Sequence, residues 1–219
     1  MKTPEFNINE SLEPKTAEVL SSLSEIEEIK NFTLVGGSAL SIYLHHRISE
    51  DLDFFTWHQK LDDAGIDPIL KAAAALYPTK IINNYSDGMD LLVDGVKVTF
   101  FANYWDKLKQ REHLLNKSFI GRIELITAMK ANALSLRARF RDYYDLYVIT
   151  KQIFDINKVL EISLEYIPGM TKKIFAMQMI YTEDIDDENI KHLYPAYDVS
   201  LTDIRIFFEN EVKKLLGAD

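Results

Sequence analysis

The stretch FTLVGGSALSIYLHHRISEDLDFF, residues 32–55, decides the fold of this chain. It opens with an apolar run, 32–35, that ends at Gly36-Gly37-Ser38. A segment with apolar residues at Leu40, Ile42, Tyr43 and Leu44 follows. A second run, 51–55, sets Asp51 and Asp53 among Leu52, Phe54 and Phe55, as a half-buried strand does. The pattern predicts a strand, a glycine turn, a helix capped by Ser38, and a second strand. Glycine lets backbone approach a phosphate closely, and a helix N-terminus offers free N–H groups and a positive dipole end. Residues i and i+2 of a strand share a face at about 7 Å between Cα atoms. Two carboxylates so placed suit magnesium, which takes oxygen ligands and keeps water and substrate phosphate in its shell. Two such ions roughly 4 Å apart would stabilise the attacking and leaving oxygens of a phosphoryl displacement. The apolar neighbours bury the strand, and acids beside a core call for a cation, whether metal, lysine or arginine. No GKS or GKT and no G-x-G-x-x-G is present, which excludes a P-loop and a dinucleotide fingerprint.

Working outward, residues 15–29 carry Val19, Leu20, Leu23 and Ile26 at helical spacing. A helix is predicted over 69–76, rich in alanine and closed by Pro78. Runs at 80–85, 89–93 and 96–101 predict strands, with Asp94-Gly95 as a two-residue hairpin turn. From 123 onward strand signals fade. Helices are predicted over 123–137, 141–150, 157–166, 170–181 and 201–216, with Pro168-Gly169 breaking one pair and 183–188 an acidic loop. The fold class is α/β (α+β), a mixed sheet with at least one antiparallel hairpin, followed by a helical half. The chain divides near residue 118, giving domains 1–118 and 119–219. A cleft between such halves is a common place for a ligand.

Composition bounds the chemistry. The 219 residues are 47% hydrophobic and contain no cysteine, so thiol catalysis and thiolate metal sites are excluded. The N-terminus lacks a signal-peptide core, and no run is long enough to cross a bilayer. A soluble, cytoplasmic protein with no membrane partner is expected. The formal net charge of −9 argues against general attraction to nucleic acid.

Gly-Gly-Ser followed by Asp51-Leu52-Asp53-Phe54 resembles the signature of the polymerase-β-type nucleotidyltransferase superfamily. The fuller string HHRISEDLDFF, with Arg47 and Ser49, resembles its AbiEii/AbiGii-type nucleotidyltransferase toxin branch. MKANALSLRARFRDYYDLYVI resembles the helical motif of that family, here Lys130, Arg137, Arg141, Asp142, Asp145 and Leu146. On one continuous helix, Arg137, Arg141 and Asp145 fall within about 80° of Lys130. Met129, Leu136, Phe140, Tyr143 and Tyr147 gather on another side. A core stripe beside a surface charge stripe, with Arg141 and Asp145 paired, is the other reading of that helix.

The resemblance implies a magnesium-dependent transfer of a nucleoside monophosphate from an NTP to an acceptor hydroxyl. Asp51 and Asp53 would be catalytic and would hold one or two Mg2+. Lys130 would hold the triphosphate, with Asp142 beside it. Gly36, Gly37, Ser38, Arg47, Ser49, Arg137, Arg141 and Asp145 would bind substrate. The acceptor it implies is a tRNA end, and the partner a separately encoded antitoxin. One departure stands out: the superfamily takes a third carboxylate from a later strand, where this chain has Thr99 in 96–101. Asp90 is an alternative metal ligand. Two other readings stay open: a catalytically degenerate nucleotide- or protein-binding member, and a nucleotidyltransferase with a small-molecule acceptor of the antibiotic type.

The remaining candidates carry less. His45 and His46 are adjacent on a helix and cannot both face one metal. His58, His113 and His192 have no sequence-local partners. Tyr143, Tyr144 and Tyr147 are read as core packing before base stacking. Lys107, Lys109 and Arg111 form a small basic run whose default is a solvated loop.

Overall fold

The computed structural model describes residues 6–58, 60–61, 63–102, 110–137, 139–185 and 190–217. They fall into two compact units, Met1–Ile123 and Glu124–Asp219. The first unit holds α1 (Pro14–Ser24), β1 (Thr33–Val35), α2 (Gly36–Leu44), β2 (Leu52–Thr56), α3 (Asp63–Leu76), β3 (Thr79–Tyr85), β4 (Gly88–Val93), β5 (Val96–Ala102), β6 (Arg111–His113) and β7 (Phe119–Gly121). The strands form one sheet in the order β3-β4-β5-β2-β1-β7-β6. It is mixed: β2 runs parallel to β5 and β1 to β7, while the other neighbours are antiparallel.

Alternation along the strands sets the two faces of this sheet. Leu52 and Phe54 of β2, Val98 and Phe100 of β5 and Leu91 of β4 are buried. Phe54 stacks on Phe100 at 5.2 Å, and Phe32 meets Phe100 edge-on at 5.0 Å. The opposite face carries Asp53, Lys97 and Thr99, each at least partly exposed. The Asp94-Gly95 turn joins β4 to β5 with φ +48 and +86, both left-handed, as a two-residue hairpin requires.

Several boundaries differ from the sequence expectation. The helix predicted over 15–29 stops at Ser24, and a 3-10 turn follows at Glu27–Asn31. The Ser24 carbonyl is taken by the Lys117 N–H at 3.0 Å, so the chain leaves the helix there. The helix expected at 69–76 starts earlier, at Asp63, because Ile66, Ile69 and Ala73 bury one stripe across Pro68. The expected division near 118 falls later. Phe119 and Ile120 of β7 pair with Thr33 and Leu34, which ties this strand to the first unit's sheet. In the basic run, Lys107 and Lys109 lie outside the described residues, while Arg111 packs on the Phe119 ring at 3.9 Å. The acidic run 183–188 is described only as far as residue 185.

The second unit is helical: α4 (Ile123–Leu136), α5 (Phe140–Gln152), α6 (Ile156–Tyr166), α7 (Lys172–Ile180) and α8 (Leu201–Leu216). Side chains cap three of them. Asp155 accepts from the Lys158 N–H at 2.8 Å, Thr171 from Ile174 at 3.1 Å, and Ser200 forms a capping box with Asp203. Leu201, Ile204, Phe208, Val212 and Leu215 give α8 one buried stripe. Among the described residues no helix is long and apolar enough to cross a membrane.

Candidate active site

In the first unit, Val35 stands opposite Asp53 across the β1–β2 pair. This register brings the Asp53 carboxylate to the turn where β1 becomes α2. Gly36 makes that turn at φ +72, a conformation glycine adopts without strain. A Cβ on Gly36 would overlap Asp53 Oδ2. A Cβ on Gly37 would stand 2.5 Å from Arg47 Nη2 and 3.5 Å from Ser49 Oγ. Ser38 Oγ donates to Ser49 Oγ at 2.9 Å and also lies against the Asp51 carbonyl. Each residue of Gly36-Gly37-Ser38 therefore receives one part of the segment 47–53. The glycines are needed for side chains of their own chain, in addition to any ligand.

Three residues expected to contact substrate take part in this interlock. Ser38 does not cap α2, because the helix begins two residues earlier at Gly36. Its hydroxyl is buried and spent on Ser49 and Asp51. Arg47 and Ser49 are only 5% and 6% exposed, and Arg47 Nη1 donates to the Ile48 carbonyl at 3.2 Å. These three side chains brace the loop that carries the acids. His45 ends α2 in the left-handed region at φ +48, with Nδ1 2.8 Å from Ser11 Oγ. His46 is buried, so the two histidines do separate work.

Asp51 is exposed, and Asp53 is half-buried on the open face of the sheet. Two carboxylates supply hard oxygen ligands of the kind magnesium accepts, with phosphate and water filling the rest of its shell. Among the described residues no cluster of three or more His, Asp or Glu side chains is gathered for a metal. The donor set thus fits a cation that shares its shell with substrate.

The register continues across the sheet from Asp53 to Thr99 on β5, and from Thr99 to Asp90 on β4. Thr99 Oγ1 donates to Asp90 Oδ1 at 2.8 Å, and Asn83 Nδ2 donates to Asp90 Oδ2 at 3.0 Å. Burial alone would raise the Asp90 pKa. The hydrogen bonds from Asn83 and Thr99, with the Lys97 ammonium at 3.7 Å, outweigh it and hold the carboxyl below its ordinary value. The nearby Tyr85 phenol is pushed up, by burial first and then by the charges of Asp90, Asp87 and Asp53.

The second unit carries a different cluster. Lys130 Nζ, on α4, lies 2.9 Å from Asp142 Oδ1 and 2.6 Å from Asp145 Oδ2, both on α5. The three side chains are 8%, 3% and 0% exposed. Arg137 Nε reaches Asp142 Oδ2 at 3.7 Å from the surface. The two helices expected at 123–137 and 141–150 are present as α4, which ends at Leu136, and α5, which begins at Phe140, so the angles counted along one continuous helix do not apply. Lys130 and Asp145 meet across a helix pair, not along a stripe. Leu136, expected among the apolar residues, is 76% exposed, because it ends α4 at the break. Tyr143, Tyr144 and Tyr147 are buried, in keeping with core packing. The Tyr143 hydroxyl donates to the Gln178 carbonyl at 2.7 Å, and burial pushes its pKa up to about 12.

The first unit thus joins a mixed sheet, a glycine turn into α2 and two acids at the neighbouring strand. Residues 18–92 match the family described as nucleotidyl transferase AbiEii toxin of type IV toxin–antitoxin systems. The resemblance read in 32–55 is borne out over that segment, which spans β1 to β4 without its last residue. An uncharacterised protein of Aquifex aeolicus strain VF5, aq_aa25, is 27% identical over 207 residues, covering 94% of this chain and 98% of that protein. The fold is shared with MenT4, a nucleotidyltransferase toxin of Mycobacterium tuberculosis, at TM-score 0.58 and 13% identity, covering 92% of this chain and 84% of that one. It is shared also with JHP933 of Helicobacter pylori, at TM-score 0.51 and 16% identity, covering 94% and 96%.

Proposed function

We propose that this protein transfers a nucleoside monophosphate from an NTP to an acceptor hydroxyl, with magnesium held by Asp51 and Asp53. The observation that carries the reading is the seat of Asp53 against Gly36, at the N-terminus of α2. Two carboxylates beside a triphosphate repel it unless a divalent cation stands between them. Bound there, magnesium would neutralise phosphate charge and polarise the attacking oxygen. The chain's own residues hold and orient. Arg47, Ser38 and Ser49 fix the loop, Gly36 and Gly37 let it close, and the first N–H groups of α2 offer an anion site. The acceptor hydroxyl then gives its proton to Asp53 as its oxygen bonds to the α-phosphorus, the bond from that phosphorus to the bridging oxygen of the β-phosphate breaks, and pyrophosphate leaves. The AbiEii match supports a toxin paired with an antitoxin, and a tRNA end is the acceptor proposed.

The test is incubation with magnesium, each labelled NTP and total tRNA. Asp51→Ala and Asp53→Ala should lose label transfer by about a hundredfold or more. Equal transfer by wild type and both variants would sink the assignment of these acids. Thr99, where a third acid was expected, favours a second reading: nucleotide binding without turnover. NTP binding with no transfer to RNA or to any small alcohol or amine would select it.

A further inference from the structure

The row Asp53–Thr99–Asp90–Asn83 crosses four strands of the sheet, β2, β5, β4 and β3, on the face opposite the core. Its middle member is a hydroxyl with its proton committed. A threonine hydroxyl has one proton to donate and two lone pairs. Here the proton points at Asp90 Oδ1, at 2.8 Å. Asp90 is itself held, by the Asn83 amide at 3.0 Å and the Lys97 ammonium at 3.7 Å, with its side chain 9% exposed. The rotor of Thr99 is thus locked, and its oxygen is left as an acceptor only. An oxygen in that state, next in register to Asp53, is a neutral ligand for a hard cation.

We propose that Thr99 supplies an oxygen to the cation held by Asp51 and Asp53, and that Asp90 is the positioning residue that keeps the Thr99 lone pairs available. This rests on the reading of those two acids as cation ligands. The charge arrangement follows from it. Thr99 brings no charge, and Lys97 stands 3.7 Å from Asp90, so Thr99 adds an oxygen to the cation without adding an anion. The free protein should bind the ion weakly and gain affinity when an NTP adds its phosphates.

The probe is Mn2+ alone, titrated into the full chain and followed by the electron paramagnetic resonance signal of the free ion. A second titration includes a non-hydrolysable NTP analogue. Thr99→Val keeps the branched shape and removes the oxygen. It should weaken Mn2+ binding about ten- to hundredfold, as loss of metal-supporting groups does. Thr99→Ser should restore it to within about threefold, and Asp90→Ala should weaken it by about tenfold. The serine variant separates a ligand role from a folding defect, as do unchanged circular dichroism and unfolding midpoint. If Thr99→Val binds as wild type does while Asp53→Asn loses binding, the proposal fails and the reading of the acids stands. If Asp53→Asn also binds as wild type does, both fail. If Thr99→Ser binds no better than Thr99→Val, the hydroxyl is not the ligand and the proposal fails.

Discussion

The chain carries two clusters that pair acids with a basic residue nearby, and they are built to opposite plans. In the first unit Asp51 is exposed and Asp53 half-buried on the open side of a sheet. In the second, Lys130, Asp142 and Asp145 are all under a tenth exposed, and the Lys130 ammonium lies within 2.9 Å of both carboxylates. Both stretches look alike in sequence, as acids two or three residues apart among aromatic and aliphatic neighbours. The difference lies in what the fold sets opposite them. Asp53 faces a glycine turn and a row of polar side chains. Asp142 and Asp145 face an ammonium that they enclose. The first arrangement leaves its acids accessible from solvent. The second sets one ammonium between two carboxylates, with the exposed Arg137 3.7 Å from Asp142, and ties α4 to α5.

The largest stability effect expected from this contrast is at Lys130. Lys130→Met leaves two buried carboxylates without their ammonium and should cost about 3–5 kcal/mol in urea unfolding. Replacing Lys130, Asp142 and Asp145 together by apolar residues should recover most of that loss, since no charge is then stranded. If the triple variant is as unstable as the single one, the cluster is not a self-contained ion group. Label transfer by a folded triple variant would in addition show whether Lys130 has the substrate role the resemblance implies.

A smaller effect is expected at Gly36, and Gly95 serves as its control. Both have left-handed backbone, at φ +72 and +86, so alanine strains each alike. A Cβ at Gly95 meets nothing within 4 Å, whereas one at Gly36 runs into Asp53. Gly95→Ala should cost about 1 kcal/mol, and Gly36→Ala up to about 3 kcal/mol. Gly36→Ala should also lower Mn2+ binding, which Gly95→Ala should leave unchanged. Equal behaviour of the two variants would show that the carboxylate of Asp53 is not seated on the turn.

The smallest effect marks the edge of the buried cluster. Arg137 is 58% exposed and 3.7 Å from Asp142. Arg137→Ala should change stability by less than about 0.5 kcal/mol, as exposed ion pairs usually do. A loss comparable to that of Lys130→Met would move Arg137 inside the cluster.

The strand order of function in 32–55 was legible because it is local. Periodicity placed β1, α2 and β2, and the Asp94-Gly95 turn fixed the β4–β5 register before any contact was known. The weak points were also local in origin. Pro68 hid the first half of α3, and short strands such as β6 and β7, three residues each, carry too little alternation to read. The break between Leu136 and Phe140 was legible as the gap between the helices expected at 123–137 and 141–150, but not the contact across it of Lys130 with Asp142 and Asp145.

By itself, then, the sequence determined which residue types could meet a phosphate and a divalent cation: the glycine turn, the two acids and the basic helical motif. Only the tertiary structure decided what each one does. The antiparallel register of β1 and β2 places Asp53 on Gly36 and leaves Arg47, Ser49 and Ser38 as buried braces. The parallel register of β2 and β5 places Thr99 between Asp53 and Asp90. The first pairing joins residues 18 positions apart, Val35 and Asp53, and the second residues 46 apart, Asp53 and Thr99, and no spacing along one chain can encode which face and which register they will share.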